Sequence, residues 1–462
     1  MMKTPYISHR ASTALTGEVR IPGDKSMSHR SLMFGLLAKG RTTVTGLLEG
    51  EDVMDTAEAV RKLGGKVEKD TENDIWNVDG IGLDKLQSPS SDLQMGNSGT
   101  STRLLMGLIA GHNITARMIG DASLSKRPMN RVIVPLEQMG AKFESTEGGR
   151  LPLNIFGSNT LKPISYKLPV ASAQVKSAIL LAGLNAEGTT TVIETKPTRD
   201  HTENMLRHFG AQVDVEDLAD GAQAIHIHGK PVLKPCHIDV YADPSSAAFP
   251  AVSALLVPGS KVTLYNVGLN ERRSGVFSTL IEMGADIQFI NERNNSGEPV
   301  ADIVITGGKP LKGITVPASR VPSMIDEFPI LSMAAACAEG TTYMSGLEEL
   351  RVKESDRLKM VADGLKACGV DLIEGEDSLT IHGTGTPPKG GAFIETALDH
   401  RIAMSFLILG LATQEPVSID DVAPVATSFP NFITMMADLG ANMHPLDQNE
   451  GHIDNAGNAC CV

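Results

Sequence analysis

Apolar and polar positions along the chain form a pattern that returns six times. Its clearest token is an apolar residue, a glycine, a small residue, a polar one and a second apolar one. It occurs as Leu63-Gly64-Gly65-Lys66-Val67, Met139-Gly140-Ala141-Lys142-Phe143, Phe209-Gly210-Ala211-Gln212-Val213 and Met283-Gly284-Ala285-Asp286-Ile287. Cys368-Gly369-Val370-Asp371-Leu372 and Leu439-Gly440-Ala441-Asn442-Met443 complete the set. Each predicts a helix that stops at a glycine in the left-handed capping position and is followed at once by a strand. Upstream of the first token the pattern predicts a strand at Glu18–Ile21, a helix at Ser28–Ala38, a strand at Thr42–Gly46 and a helix ending at Leu63. Strands at Lys66–Lys69 and Asp74–Val78 follow. The third stretch reads the same way, with helices over Gln174–Leu184 and Asp200–Phe209 and strands over Thr190–Ile193, Gln212–Val215 and Ala224–His228. The expected architecture is α/β, built from a βαβαββ unit used six times.

Six units group most simply as two domains of three. Breaks near Ile21-Pro22-Gly23 and Ala242-Asp243-Pro244 predict a first domain over 24–242 and a second over 1–23 and 243–446. The first strand then belongs with the second half, and two crossovers form a hinge. The polar stretch 447–462 reads as a flexible tail.

Composition narrows the function. At 462 residues the chain exceeds one ordinary core. Its apolar and charged shares, 41% and 21%, are those of a globular protein. No apolar run approaches the roughly 18 residues of a membrane helix, and the first thirteen residues lack a secretory apolar stretch, so the cytoplasm is expected. The five cysteines show no zinc spacing, and His226 with His228 lacks a third ligand. No metal site is therefore expected. Cys460-Cys461 is not a prenylation signal, because Ala459 stands where the cysteine would be needed. A formal charge of −14 argues against nucleic acid as a partner. A small anionic substrate then requires a cleft that concentrates cations against the global sign.

Candidate cations and acids gather where the first helix of each unit begins. Pro22-Gly23-Asp24-Lys25-Ser26-Met27-Ser28-His29-Arg30 enters an apolar helix, and Lys25, Ser26 and Arg30 could meet a phosphate or carboxylate at its N-terminus. Asp24 stands where a nucleotide P-loop would have glycine. Gly96-Asn97-Ser98-Gly99-Thr100-Ser101-Thr102-Arg103 offers small residues that admit a ligand close to the backbone, although a plain helix cap would look alike. Ala171-Ser172-Ala173-Gln174 repeats that form, and Lys126, Arg127 and Arg131 precede another helix. In the second half, Asp326 and Glu327 open an apolar helix. In Arg351-Val352-Lys353-Glu354-Ser355-Asp356-Arg357, helical spacing would bring Lys353, Glu354 and Arg357 to one face. Asp399-His400-Arg401 leads into a nearly all-apolar helix, where charge is costly unless paired or used. Six helix N-termini aimed at one cleft would supply the anion site that an acidic protein needs.

The strings PGDKSMSHR, GNSGTSTR, SKRP, ASAQVKSA, SMIDEFP, RVKESDR and DHRIAMS occur in the order found in 5-enolpyruvylshikimate-3-phosphate (EPSP) synthases. The chain resembles that family over nearly its whole length, and details such as Thr198-Arg199-Asp200-His201-Thr202-Glu203 resemble its class II branch. The resemblance implies the inside-out α/β barrel-like fold of enolpyruvyl transferases, with two domains of three βαβαββ units closing on a hinge. It implies transfer of the enolpyruvyl group of phosphoenolpyruvate to the 5-hydroxyl of shikimate 3-phosphate, with release of phosphate, in the shikimate pathway to chorismate and the aromatic amino acids. No cofactor is implied, and a monomer is expected. Carried over motif by motif, Lys25, Ser26, Arg30, Ser172, Gln174, Asp326 and Lys353 would hold shikimate 3-phosphate. Lys25, Asn97, Gly99, Thr100, Arg127, Gln174, Arg357 and Arg401 would hold phosphoenolpyruvate. Asp326, Glu354 and Lys25 would be the catalytic groups. The chain departs from the family's better-known branch at Ser428, where a lysine is expected, so another cation would have to serve. Gly99, where insensitive class II members carry alanine, implies sensitivity to glyphosate.

The related transferase acting on UDP-N-acetylglucosamine would carry a cysteine near Gly120-Asp121-Ala122-Ser123, and none is there. RNA 3′-phosphate cyclases share a related fold but suit neither the charge nor the motifs. A non-catalytic phosphate-ligand sensor is the alternative from another class, and intact Lys25, Asp326 and Glu354 argue against it.

Overall fold

The computed structural model describes residues 3–447. The tail Cys460-Cys461 pair therefore lies outside the described residues. Two compact units divide the chain: one takes residues 3–22, 242–293 and 299–447, the other 23–241 and 294–298. The short return at 294–298 adds two passages between units, out and back, to the two expected at Gly23 and Ala242.

Among the described residues twelve α-helices alternate in two kinds. The inner ones are α1 (Lys25–Leu37), α3 (Gly99–Ala110), α5 (Ala173–Gly183), α7 (Pro244–Leu256), α9 (Phe328–Cys337) and α11 (His400–Gly410). Between them run α2 (Glu51–Lys62), α4 (Asn130–Met139), α6 (His201–His208), α8 (Gly275–Glu282), α10 (Arg357–Ala367) and α12 (Phe432–Asp438). Nearly every residue of the inner helices is buried; in α7 only Leu256 is not. A helix buried on every side has no solvent face, so it belongs inside a core. The intervening helices are amphipathic: α2 buries Val53, Ala57 and Val60 and turns Glu51 and Arg61 outward.

Among the described residues six small sheets pack on these helices, three in each unit. In the second repeat, strand Leu93–Gln94 runs parallel to Thr115–Ile119, which pairs antiparallel with Arg150–Phe156 and through it with Lys142–Thr146. The six repeat glycines, at 64, 140, 210, 284, 369 and 440, all have positive φ between 81° and 114°. That is the conformation the repeated token predicts, because a side chain there would be strained.

Two sheets exchange strands and a third borrows one. Thr16–Arg20, just before α1, pairs in parallel with Lys261–Gly268 after α7. Reciprocally, His237–Asp239, before α7, pairs with Lys39–Thr45 after α1. In the sixth repeat the strand that should follow Met443–Pro445 is supplied by Tyr6–Ser8 from the start of the chain.

Candidate active site

In the unit holding residues 23–241, the N-termini of α1, α3 and α5 come together, and each is capped by a side chain. Asp24 accepts from the Met27 amide at 2.8 Å, Ser98 from Ser101 at 3.1 Å and Ser172 from Val175 at 3.4 Å. Capping leaves other N-terminal amides facing outward, where the helix dipole favours an anion. Hydroxyls and one imidazole tie the ends of α1 and α3 together through Thr56 of α2. His29 Nδ1 lies 2.8 Å from Thr56 Oγ1, which lies 2.7 Å from Ser101 Oγ, and His29 Nε2 lies 3.4 Å from Ser98 Oγ. Burial first, then Lys25 and Arg30, push the His29 pKa well below 6.5, so this ring is a neutral strut.

The sequence-predicted residues of this unit line these ends. Lys25 forms an ion pair with Asp52 in the first turn of α2. Arg30 is buried; Nε donates to Thr202 Oγ1 at 2.8 Å, Nη1 to the Ser26 carbonyl at 3.0 Å and Nη2 to Ser177 Oγ at 3.1 Å. Burial, with Arg199 nearby, lowers its pKa to about 10 against the pull of Glu203 and Asp24. Gln174 donates to Thr100 Oγ1 at 2.9 Å and accepts from Arg103 at 2.6 Å. Arg127 donates to Asn97 Oδ1 at 2.5 Å, and the Asn97 amide donates to Asp121 at 2.8 Å. Gly99 opens α3 with its Cα against these cations. A Cβ there would lie 2.9 Å from Arg103 Nη1 and 3.2 Å from Arg127 Nη1.

In the other unit the starts of α7, α9 and α11 meet in the same way, but around carboxylates. Asp326 Oδ1 lies 3.2 Å from Arg357 Nη1 and 3.3 Å from Lys353 Nζ. Glu354 Oε2 lies 2.6 Å from Arg357 Nη2, and Asp399 Oδ2 accepts from Arg357 Nε at 2.8 Å. Asp399 is fully buried, caps α11 by accepting from the Arg401 amide at 3.0 Å, and accepts from Ser355 Oγ at 3.0 Å. Burial works against the Arg357 cation, but Asp399, Glu354 and Asp326 overcome it and raise its pKa. Arg357 in turn holds Asp399 below the usual carboxylate range despite burial. Arg401 Nη1 donates to the Asp326 carbonyl at 3.2 Å.

One local expectation is corrected. Lys353, Glu354 and Arg357 do not share a helical face: a 3-10 turn ends at Val352, and α10 begins only at Arg357. Asp356 is the N-cap, accepting from the Lys359 amide at 3.0 Å, and a capping residue cannot itself be helical. The three groups meet beside Asp326, just ahead of α9, through the Lys353–Asp326, Arg357–Asp326 and Arg357–Glu354 ion pairs. Arg131 likewise lies within the first turn of α4, not before it.

Other candidates have plain structural partners. His226 lies 2.9 Å from Thr191 Oγ1 and 3.6 Å from Glu216, and His228 lies 2.8 Å from Asp214, each across strands. Among the described residues no three His, Cys, Asp or Glu side chains gather as a metal would need. Burial raises the Cys236 thiol to about 11 and the Cys337 and Cys368 thiols to about 12. Ser428 is buried after a 3-10 turn, its amide donating to the Val425 carbonyl at 3.2 Å. Among the described residues no helix is long and apolar enough to cross a membrane.

Sequence reasoning gave no part to Asp52, Arg103, Asp121 or Arg273, and left Glu327 at the entry of its helix without a binding or catalytic role. Arg103 closes the Gly96–Arg103 motif and Glu327 adjoins Asp326, so their positions offered a signal. Arg273 offered none.

The fold matches that of the enolpyruvyl transferase NikO from Streptomyces tendae, with TM-score 0.73 at 19% identity over 96% of this chain and 99% of that one. At that identity the likeness establishes an enolpyruvyl transferase fold. The profile of the family described as EPSP synthase (3-phosphoshikimate 1-carboxyvinyltransferase) matches residues 9–436. A 3-phosphoshikimate 1-carboxyvinyltransferase of Parvibaculum lavamentivorans is 57% identical over 431 residues, 93% of this chain and 95% of that protein. That of Paramagnetospirillum magneticum is 56% identical over 443 residues, 96% and 99% of the two chains. The solved EPSP synthase from Acinetobacter baumannii superposes with TM-score 0.85 at 48% identity, over 96% of this chain and all of that one. The chain belongs to the EPSP synthase family.

Proposed function

We infer that the chain performs its family's reaction, moving the enolpyruvyl group of phosphoenolpyruvate to the 5-hydroxyl of shikimate 3-phosphate and releasing inorganic phosphate. Lys25, Ser26, Arg30, Ser172, Gln174, Asp326 and Lys353 take shikimate 3-phosphate. Lys25, Asn97, Gly99, Thr100, Arg127, Gln174, Arg357 and Arg401 take phosphoenolpyruvate. The two substrates bring roughly four to five negative charges at neutral pH, which explains the wealth of guanidinium. Its planar fork fits phosphate and carboxylate in a bidentate way that ammonium cannot.

The observation that carries the reading is the Asp326 carboxylate held between Lys353 and Arg357, with Glu354 on the same guanidinium. Asp326 accepts the proton of the attacking hydroxyl as its oxygen bonds to the central carbon of phosphoenolpyruvate. The methylene carbon gains a proton in the same addition, and Glu354 and Lys25 are the groups that move it. Elimination reverses that protonation: the new methyl group loses a proton, the carbon–oxygen bond to phosphate breaks, and the double bond returns. Excluding water protects the cationic character at the attacked carbon.

Phosphate release from purified protein tests this. Release should require both phosphoenolpyruvate and shikimate 3-phosphate, with none when UDP-N-acetylglucosamine is the acceptor. Tight binding of shikimate 3-phosphate without turnover would replace the enzyme by a sensor. The reading extends to a monomer in the cytoplasm, tested by light scattering and by cell fractionation. It also extends to glyphosate sensitivity, because Gly99 leaves beside Arg127 the space a methyl group would fill.

A further inference from the structure

Behind Arg401 lies a buried ionic chain that the motifs do not reveal as connected. Glu327, the residue before α9, is fully buried, and its Oε1 receives the Ser245 hydroxyl from the first turn of α7. The same oxygen lies 3.6 Å from Arg401 Nη1 and 3.6 Å from Arg273 Nη1. Arg273 is itself buried, donates to Ser245 Oγ, and reaches Asp243 Oδ1 at 2.9 Å. Asp243 caps α7 through the Ser245 amide at 2.7 Å. Two carboxylates and two guanidiniums therefore alternate, Asp243–Arg273–Glu327–Arg401, and their charges cancel. Only Arg401, with 13% of its side chain exposed, leads out of the core.

A buried carboxylate is costly unless its charge and lone pairs are matched. Glu327 Oε2 has no hydrogen-bond partner in the structure, so part of that cost is unrelieved. Helix capping does not account for the residue, because its side chain makes no capping bond to α9. Its neighbours are the two guanidiniums and the Ser245 hydroxyl. Without its charge, Arg273 and Arg401 would face each other across a low-dielectric site and repel.

We propose that Glu327 is a positioning residue for phosphoenolpyruvate binding: it fixes the Arg401 guanidinium, with Arg273 as its buried counter-cation. It touches no reacting atom and acts through Arg401. The inference rests on the assignment of Arg401 to phosphoenolpyruvate, so its test must separate the two.

The test is a double-mutant cycle on KM for phosphoenolpyruvate with E327Q, R401K and the double variant, read by phosphate release. Thermal melting and affinity for shikimate 3-phosphate are measured alongside. Glu327→Gln should raise KM for phosphoenolpyruvate roughly 10- to 100-fold, while kcat and shikimate 3-phosphate affinity move less than about 3-fold. Arg401→Lys should raise the same KM, and the double variant should be no worse than the more severe single one, since coupled groups are not additive. Multiplicative effects, or an unchanged KM in E327Q beside a raised one in R401K, would overturn the role of Glu327 and leave Arg401 in place. An unchanged KM in R401K would remove the Arg401 assignment and the inference with it. Should E327Q not fold, Ser245→Ala in the same cycle should raise KM for phosphoenolpyruvate about 3- to 10-fold, and no change there would count against the proposal.

Discussion

Arg30 and Arg357 are both almost wholly buried beside inner-helix N-termini, yet their surroundings are opposite. Arg30 meets two hydroxyls and a backbone carbonyl, and burial lowers its pKa. Arg357 meets Asp326, Glu354 and Asp399, and their charges raise it. One repeat thus serves two purposes. Arg30 directs its hydrogen bonds to neutral groups while Glu203 and Asp24 offset part of its charge, so it still gains when an anion arrives. A guanidinium among carboxylates is rigid from the outset and positions the acid and base groups around it. The first arrangement suits recognition of a phosphate; the second suits proton transfer.

The largest effect should come from the carboxylates around Arg357. Asp326→Ala and Glu354→Ala should each lower kcat for phosphate release by roughly 10²–10⁴ if they transfer protons. Wild-type turnover in both would end the acid–base reading and reduce the Arg357 cluster to a structural one. Next, Arg30→Lys should weaken shikimate 3-phosphate about 10- to 100-fold by calorimetry, because one ammonium cannot reproduce three directed donors. A smaller loss than in Lys353→Met would reverse the ranking of the two regions.

Gly99→Ala should raise KM for phosphoenolpyruvate about 10-fold and raise the glyphosate concentration for half-inhibition by more. The added methyl would crowd Arg103 and Arg127, as the distances above require. Inhibition of the variant equal to that of the parent would separate glyphosate from this pocket. The smallest effect concerns pH. His29 has a folded pKa below its unfolded 6.5, so the unfolded chain binds the extra proton as pH falls below 6.5. Stability from this residue is complete above 6.5 and declines below it, by at most about 1.4 kcal/mol per pH unit until the folded pKa is reached. His29→Gln should flatten the acidic limb of a Tm-against-pH curve; an unchanged limb would show that other groups cause it.

The local geometry around the proposed site was readable because its residues sit beside the helix entries that their own motifs form. Asp24, Ser98 and Ser172 cap the helices that their motifs open, and Lys25, Thr100 and Gln174 follow within two residues of those caps. Helical spacing was the wrong reason for grouping Lys353, Glu354 and Arg357, although the group exists. The cap at Asp356 overrode the pattern, since its side-chain bond to the Lys359 amide fixes where α10 can start. Arg273 was invisible for a different reason: its partners Asp243 and Glu327 lie 30 and 54 positions away, at the entries of α7 and α9.

The sequence by itself determined the six helix–glycine–strand junctions, the apolar bodies of the inner helices and the polar entries that cap them. These depend on φ, on local hydrogen bonds and on burial, which neighbouring residues set. Only the tertiary structure decided that Tyr6–Ser8 completes the sixth sheet, that Thr16–Arg20 and His237–Asp239 trade places, and that Glu327 lies between Arg273 and Arg401. Strand pairing and buried ion pairing across hundreds of residues leave no local periodicity, because their partners are chosen by space left in a packed core.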